Sequence, residues 1–346
     1  MSTITAVKFG ASLESILEAA RKRIQVAPEE LTEARDRRDK ILGVLMNEFP
    51  GSETYVNGSV AHGDALNPLT DVDVGVVVFG AEGTFGPGKK GPSELMNRAS
   101  DAIRDALRDE YENLVVTVEG QRRAVWVQFG DPVNTNAKDF TADVLVTLDN
   151  LTGDGLYIPE AIQGTWDRAH PQKHTAMVLA ANKASDGTYT HAVRLLKHWC
   201  RTNGKPMCSW NIKALALGCL TESMPTMDAL QTWFTYALDE LAKGPTKDPA
   251  QVVEKPIELN ETTSVVLNRL RKASRHLVAA RRFEDEGYPL LAWQELAEMF
   301  NDDEMLPNAP KGPLLAEETR RRAAGVGGTA ALSIVEKTKP TQSWRP

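Results

Sequence analysis

Gly58-Ser59, then eleven residues, then Asp71-Val72-Asp73 running straight into Val74-Gly75-Val76-Val77-Val78: this stretch decides how the chain reads. Side chains at i and i+2 of a strand point to the same face, so Asp71 and Asp73 aim together while Val72 and Val74 point into a core. Two carboxylates on one face repel unless a hard cation such as Mg²⁺ sits between them. Gly58 lets the backbone approach a phosphate closely, and Ser59 adds a hydroxyl and a backbone donor. A small turn, a spacer and two alternating carboxylates at a strand start suit binding of a nucleoside triphosphate through divalent metals. The plainer alternative is a surface Asp-x-Asp at a strand entrance, and the Gly-Ser at this spacing weighs against it.

A metal pair for phosphoryl transfer wants a third carboxylate. Asp143 lies in the apolar run Thr141-Ala142-Asp143-Val144-Leu145-Val146, which has strand character. Arg123-Ala124-Val125-Trp126-Val127-Gln128-Phe129 reads as the adjacent strand, which places Asp143 beside the Asp71/Asp73 strand in one sheet. A strand-terminal Asp capping a turn is the other reading, and Asp149 is taken as such a residue. In this geometry Asp71 and Asp73 hold both ions. Asp143 holds the one that activates an attacking hydroxyl, and is placed to take its proton.

Gly58-Ser59 with Asp71, Asp73 and Asp143 resembles the DNA polymerase β-type nucleotidyltransferase superfamily. Arg194-Leu195-Leu196-Lys197-His198-Trp199 followed by Ser209-Trp210 is similar to the helical lobe of the cGAS/DncV-like nucleotidyltransferases (CD-NTases) and the related oligoadenylate synthases. Ala292-Trp293-Gln294-Glu295-Leu296-Ala297-Glu298-Met299-Phe300-Asn301-Asp302 is similar to a closing helix-turn of the bacterial members, and the likeness runs in order over most of residues 10–307. The resemblance implies that Lys197 and Ser209 grip the triphosphate and that Trp210 stacks on the base. Two departures stand out. Gly63-Asp64 replaces a common Gly-Thr, with Asp64 read as hydrogen-bonding a turn rather than aiding the metals; and Trp210 stands where Tyr is commoner.

The expected fold class is α+β. A polymerase β-like nucleotidyltransferase lobe with a mixed sheet occupies residues 1–165 with N-terminal helices. An all-helical lobe follows over 166–307 and a tail over 308–346, flexible or docked on the surface, with the active site in the cleft between the lobes. Helices are expected over Leu13–Val26, Glu29–Met46, Glu94 to about Glu110 with Ser93 as N-cap, Gln172–Ala184, Thr190–Thr202, Ser209–Leu220, Met227–Leu241, Thr262–Glu286 and Pro289–Phe300.

Two motifs invite other readings. Gly83-Thr84-Phe85-Gly86-Pro87-Gly88-Lys89 fits the P-loop spacing, but Lys90 stands where the metal-binding hydroxyl belongs and Pro92 delays the helix. The loop's lysines then flank the cleft or stay solvated. His170, His174, His191, His198, Cys200 and Cys208 include one half of a zinc pattern, but no Cys-x2-Cys pair accompanies it, and packing or capping roles are expected.

With 40 basic against 47 acidic side chains in 346 residues, no global field favours nucleic acid, although a local basic cleft is compatible with this balance. Three cysteines fit a reducing cytoplasm rather than a disulfide framework. No segment approaches a membrane span and the first residues lack a basic, then apolar, leader, so a cytoplasmic protein without membrane association is expected. The function implied by the resemblance is synthesis of a cyclic di- or trinucleotide second messenger from ribonucleoside triphosphates with two Mg²⁺ ions, for which Mn²⁺ can substitute. The implied setting is bacterial anti-phage (CBASS-type) signalling, in which the product acts on a separate effector and no stable nucleic-acid complex forms. The alternatives are a nucleotidyltransferase acting on a tRNA or small-molecule acceptor, and an inactive nucleotide-binding relative. The intact acids weigh against the last.

Overall fold

The computed structural model describes residues 10–134, 138–253 and 255–325. In chain order the elements are α1 (Leu13–Arg23), α2 (Pro28–Glu48), β1 (Glu53–Asn57), α3 (Gly58–Ala61), β2 (Asp71–Val78), α4 (Glu82–Phe85), α5 (Ser93–Leu107), β3 (Val115–Thr117), β4 (Val125–Gln128), β5 (Thr141–Asp149), β6 (Leu156–Glu160) and β7 (Thr165–Ala169). Helices follow: α6 (Pro171–Ala184), α7 (Thr188–Thr202), α8 (Ser209–Cys219), α9 (Thr226–Lys243), α10 (Thr263–Asp285), α11 (Pro289–Phe300) and α12 (Lys311–Ala323).

The strands form one mixed sheet in the order β1-β2-β5-β4-β3, with β6 on the far end of β5 and β7 on β6. β2 and β5 run parallel; the other neighbours are antiparallel. Strand alternation sorts β2 into two faces: Val72, Val74 and Val76 are buried, whereas Asp71 and Asp73 stand on the opposite side. The apolar face is covered by α2, through Ala34, Ile41 and Leu45, and by α5, through Leu95, Met96, Ala99 and Ile103. Both sets follow the helical spacing that makes one stripe.

Arg37 of α2 ties this layer to the start of β5. Its side chain is 1% exposed; Nη1 donates to both oxygens of Asp139 at 3.0 and 2.9 Å, while Nε donates to Glu33 at 2.7 Å. It also lies 4.8 Å from the ring centres of Phe129 and Phe140. A buried charge is tolerated here because two hydrogen-bonded carboxylates and three aromatic rings, Tyr111 included, surround it.

The helical layer has its own core, built from Leu195, Leu196 and Trp199 of α7, Trp233 and Phe234 of α9, Leu270 and Leu277 of α10, and Leu296 and Phe300 of α11. Trp199 meets Phe234 edge-on at 5.0 Å. Among the described residues no helix is long and apolar enough to cross a membrane.

Several local expectations are corrected. Helix α1 buries Leu13, Ile16, Leu17 and Ala20 in the helical core, not against the sheet, because its apolar stripe fits the groove beside α9 and α11. The sheet continues through β7 to Ala169, past the boundary expected at residue 165. Ser93 is the first helical residue, and Pro92 precedes it without a side-chain cap. Asp149 leaves one oxygen buried and unbonded, and the turn is held by Asn150, whose Oδ1 accepts from Thr152 N at 3.2 Å. In the stretch expected as a tail, flexible or docked on the surface, the unexpected feature is a helix, α12, which is docked on α11 by Glu317 accepting from Leu290 N at 2.9 Å. Residues beyond 325 lie outside the described part.

Candidate active site

Asp71 and Asp73 face a cleft of about 640 Å³ between the sheet and the helical layer. Asp143 stands directly opposite Asp73 in the parallel register of β2 and β5, so the three carboxylates share one face of the sheet. Burial first, then the charges of Asp71 and Asp143, push the Asp73 carboxyl up to about 7. Asp143 is raised by the same two causes, burial first and then Asp71. A cluster of oxygen donors that raise one another's affinity for a proton is equally suited to a hard divalent cation. Among the described residues the trio whose ligand atoms already lie within 4.8 Å of one another is elsewhere: His276, Glu295 and Glu298 on α10 and α11.

Gly58 and Ser59 open α3 immediately after β1 and border the same cleft. Gly58 adopts φ +73, and a Cβ built on it would lie 1.6 Å from Asp73 Oδ2. The close approach that excludes a side chain there is therefore to Asp73, in addition to any approach by a phosphate. The pairing of Asn57 with Asp73 across β1 and β2 produces this contact.

The opposite wall comes from α7 and α8. Lys197, Ser209 and Trp210 all line the cleft, as do Arg201, Lys205 and Lys213, which sequence reading did not single out. A signal was present. Lys197 and Arg201, and Ser209 and Lys213, are spaced i, i+4, which puts each pair on one helix face. The wall is thus basic although the chain carries a net charge of −7. Trp210 is half-buried, with the His174 ring against it at 4.4 Å between centres. His174 is fixed in turn by Asp248, whose Oδ1 accepts from Nε2 at 2.7 Å. Its neighbour His170 caps α6 by accepting from Lys173 N at 3.4 Å, His198 pairs with Asp302 at 2.9 Å, and Cys200 donates to Met207 O at 3.2 Å. These groups are occupied in capping and packing. The loop with P-loop spacing lies at the other end of β2, about 23 Å along the strand from Asp71, so Lys89 and Lys90 are solvated and do not flank the cleft.

Asp64 overturns the turn reading. It is wholly buried, and its partners are two lysines of the helical wall. Lys197 Nζ donates to Oδ1 at 2.6 Å and to the Asp64 carbonyl at 2.9 Å, and Lys213 Nζ lies 2.8 Å from Oδ2. Lys213 also donates to His62 Nδ1 at 2.7 Å, leaving Oδ2 without a directed hydrogen bond. His62 Nε2 then donates to Thr175 Oγ1 at 3.0 Å, and Thr175 donates to Asn57 Oδ1 at 3.0 Å, so the chain of bonds ends beside Gly58. Burial first, then the Lys213 charge, push His62 down to about 3, which keeps it neutral and able to accept from Lys213. Burial alone would raise Asp64, but Lys213 and Lys197 outweigh it and hold it ionised. Burial pushes Lys213 itself down, opposed by Asp64. Arg194, from the same helix as Lys197, donates to the carbonyls of Gly63 and Ala65 and closes the seam.

No family model matches this chain. A 212-residue segment is 23% identical to a probable cyclic nucleotide synthase of Bacillus cereus, covering 53% of this chain and 63% of that relative, so the match spans less than two thirds of its length. The Escherichia coli MS115-1 CdnC structure with ATP superposes with a TM-score of 0.60 at 17% identity, over 84% of this chain and 98% of CdnC. Escherichia coli DncV bound to 3′-deoxy GTP superposes with a TM-score of 0.56 at 16% identity, over 86% of this chain and 83% of DncV. The chain has the cGAS/DncV-like nucleotidyltransferase fold that its motifs resemble.

Proposed function

We propose that this chain is a nucleotidyltransferase that joins ribonucleoside triphosphates into a cyclic di- or trinucleotide. The observation that carries the reading is the register that sets Asp143 opposite Asp73, with Asp71 beside them, across a cleft from a basic wall. CdnC with ATP and DncV with 3′-deoxy GTP share the fold, and the Bacillus relative is described as a probable cyclic nucleotide synthase.

Asp71, Asp73 and Asp143 would hold two Mg²⁺ ions, or Mn²⁺ in their place. The oxygen-only donor set fits such hard cations, as does the raised affinity of Asp73 for a positive charge. When bound, the ions neutralise the triphosphate and acidify the acceptor hydroxyl. Ser59 and Ser209, from opposite walls, present hydroxyls to the triphosphate, and Lys197 supplies the cation. Trp210 stacks on the base with the face that His174 leaves open. The acceptor's 2′- or 3′-hydroxyl attacks the α-phosphorus, its oxygen forms the new ester, pyrophosphate departs and Asp143 takes the proton. The linear product, which keeps its 5′-triphosphate, then turns over, and its own free 2′- or 3′-hydroxyl attacks that α-phosphorus, releasing a second pyrophosphate as the ring closes. The biological setting we propose is anti-phage signalling from the cytoplasm through a separate effector.

The test is incubation of purified protein with all four labelled ribonucleoside triphosphates and Mg²⁺ or Mn²⁺, followed by phosphatase, chromatography and mass spectrometry. A phosphatase-resistant product with the mass of a cyclic oligonucleotide is expected. Label found only on added tRNA or a small acceptor would overturn the cyclic product in favour of acceptor modification.

A further inference from the structure

Asp64 has two lysines where one would neutralise it. Both come from the helical wall, Lys197 from α7 and Lys213 from α8, and both ammonium groups are within 3 Å of the carboxylate, at 2.6 and 2.8 Å. Their positions differ. Lys213 is enclosed, held from behind by His62, whose Nδ1 accepts its proton at 2.7 Å. Lys197 has no second side-chain partner among the described residues, and its remaining bond is to the Asp64 carbonyl. Both lysines border the cleft that Asp71 and Asp73 face.

A lysine already bonded to a buried carboxylate can serve a triphosphate only by leaving that carboxylate. Stranding a wholly buried anion is prohibitive unless another cation remains. We propose that Lys213 is a positioning residue that keeps Asp64 neutralised while Lys197 turns from Asp64 to the triphosphate. Asp64 is then a parking site: it holds Lys197 extended toward the cleft in the empty enzyme and releases it without a buried charge left unpaired. The His62–Thr175–Asn57 chain keeps Lys213 in place during this hand-over and links it to the Gly58-Ser59 turn, the other grip on the triphosphate. The inference rests on the reading of Lys197 as a triphosphate ligand.

The experiment compares ATP affinity by isothermal titration calorimetry, and KM and kcat for nucleotide incorporation, in the full chain and its Lys197→Met, Lys213→Met, Asp64→Asn/Lys213→Met and Asp64→Asn/Lys197→Met/Lys213→Met variants. Lys213→Met is expected to weaken ATP binding about ten- to a hundredfold, as Lys197→Met does, because Lys197 is now confined to Asp64. The double variant removes the confining charge and is expected to recover affinity to within about threefold of the parent. The triple variant is expected to lose it again. A static latch between the lobes predicts no such recovery. Should Lys213→Met fail to fold, the uncharged double variant and its triple still decide the matter through their difference. The proposal is overturned if the double variant binds ATP as weakly as the triple variant while melting like the parent. If Lys197→Met alone leaves affinity unchanged, the assignment of Lys197 to the triphosphate fails first, and the hand-over with it.

Discussion

Gly58 lies against the carboxylate of Asp73 so closely that a Cβ at position 58 would stand 1.6 Å from Oδ2 and 2.4 Å from Cγ. The glycine that opens α3 at the cleft and the central acid of the sheet therefore form one steric unit. Its positive φ adds a second reason that no other residue fits. Gly58→Ala is expected to lower kcat at least about a hundredfold, since an ångström of displacement at a reacting group has that effect. Steady-state incorporation kinetics, with circular dichroism to check the fold, would test it; near-parental kcat would contradict the contact.

Asp73→Asn removes an oxygen that the proposed metal site requires and should abolish incorporation while the protein stays folded. It also carries a pH signature. The folded carboxyl is raised to about 7 from an ordinary 3.8, so between those values the native state holds a proton that the unfolded chain has released. The Asp73 contribution to stability is therefore lost as pH rises from about 4 to about 7 in the metal-free parent, against the opposite slope of the buried, neutral His62, and only the Asp73 contribution disappears in the Asn variant. Urea titrations in EDTA at pH 5 and pH 7.5 measure the difference. Equal slopes in the two proteins would show that Asp73 ionises freely in the fold.

Trp210→Ala should weaken nucleotide binding more than it perturbs the fold, since Trp210 is half-exposed in the cleft. Stacking is worth about 1–3 kcal/mol per base, which corresponds to roughly a five- to hundredfold rise in KM. An unchanged KM would reject Trp210 as the platform.

Arg37→Met leaves Asp139 buried beside Glu33 with no cation between them. Breaking a buried pair in this way costs about 3–5 kcal/mol of stability. Chemical denaturation would show it as a lower midpoint. Because Arg37 anchors the start of β5, activity is expected to fall with stability, and both should be retained in Arg37→Lys only in part, since one ammonium cannot serve Asp139, Glu33 and the Asp131 carbonyl from three separate nitrogens as the guanidinium does.

Much of the fold and of the acid triad could be read from residue order. Alternation in Asp71–Val78 separates acids from valines because strand side chains have a period of two, and that rule needs no partner. The run around Asp143 is apolar on both sides of one acid, which gives the strand but not its neighbour's register. Helix α11 starts at Pro289 and stops before an Asn in the left-handed region, both local signals. What only the tertiary structure decided depends on residues far apart in the chain. Asp64 looked like a turn residue, and its true partner Lys197 lies 133 positions later. Lys213 looked like one more helix residue until α8 brought it against His62 and Asp64. Helix α1 joined the helical core and not the adjacent sheet, because an apolar stripe specifies that a face is buried but not against what. Spacing along a strand or helix determines direction; which charge meets which, and how closely a glycine must approach a carboxylate, is set by long-range packing of the two layers across the cleft.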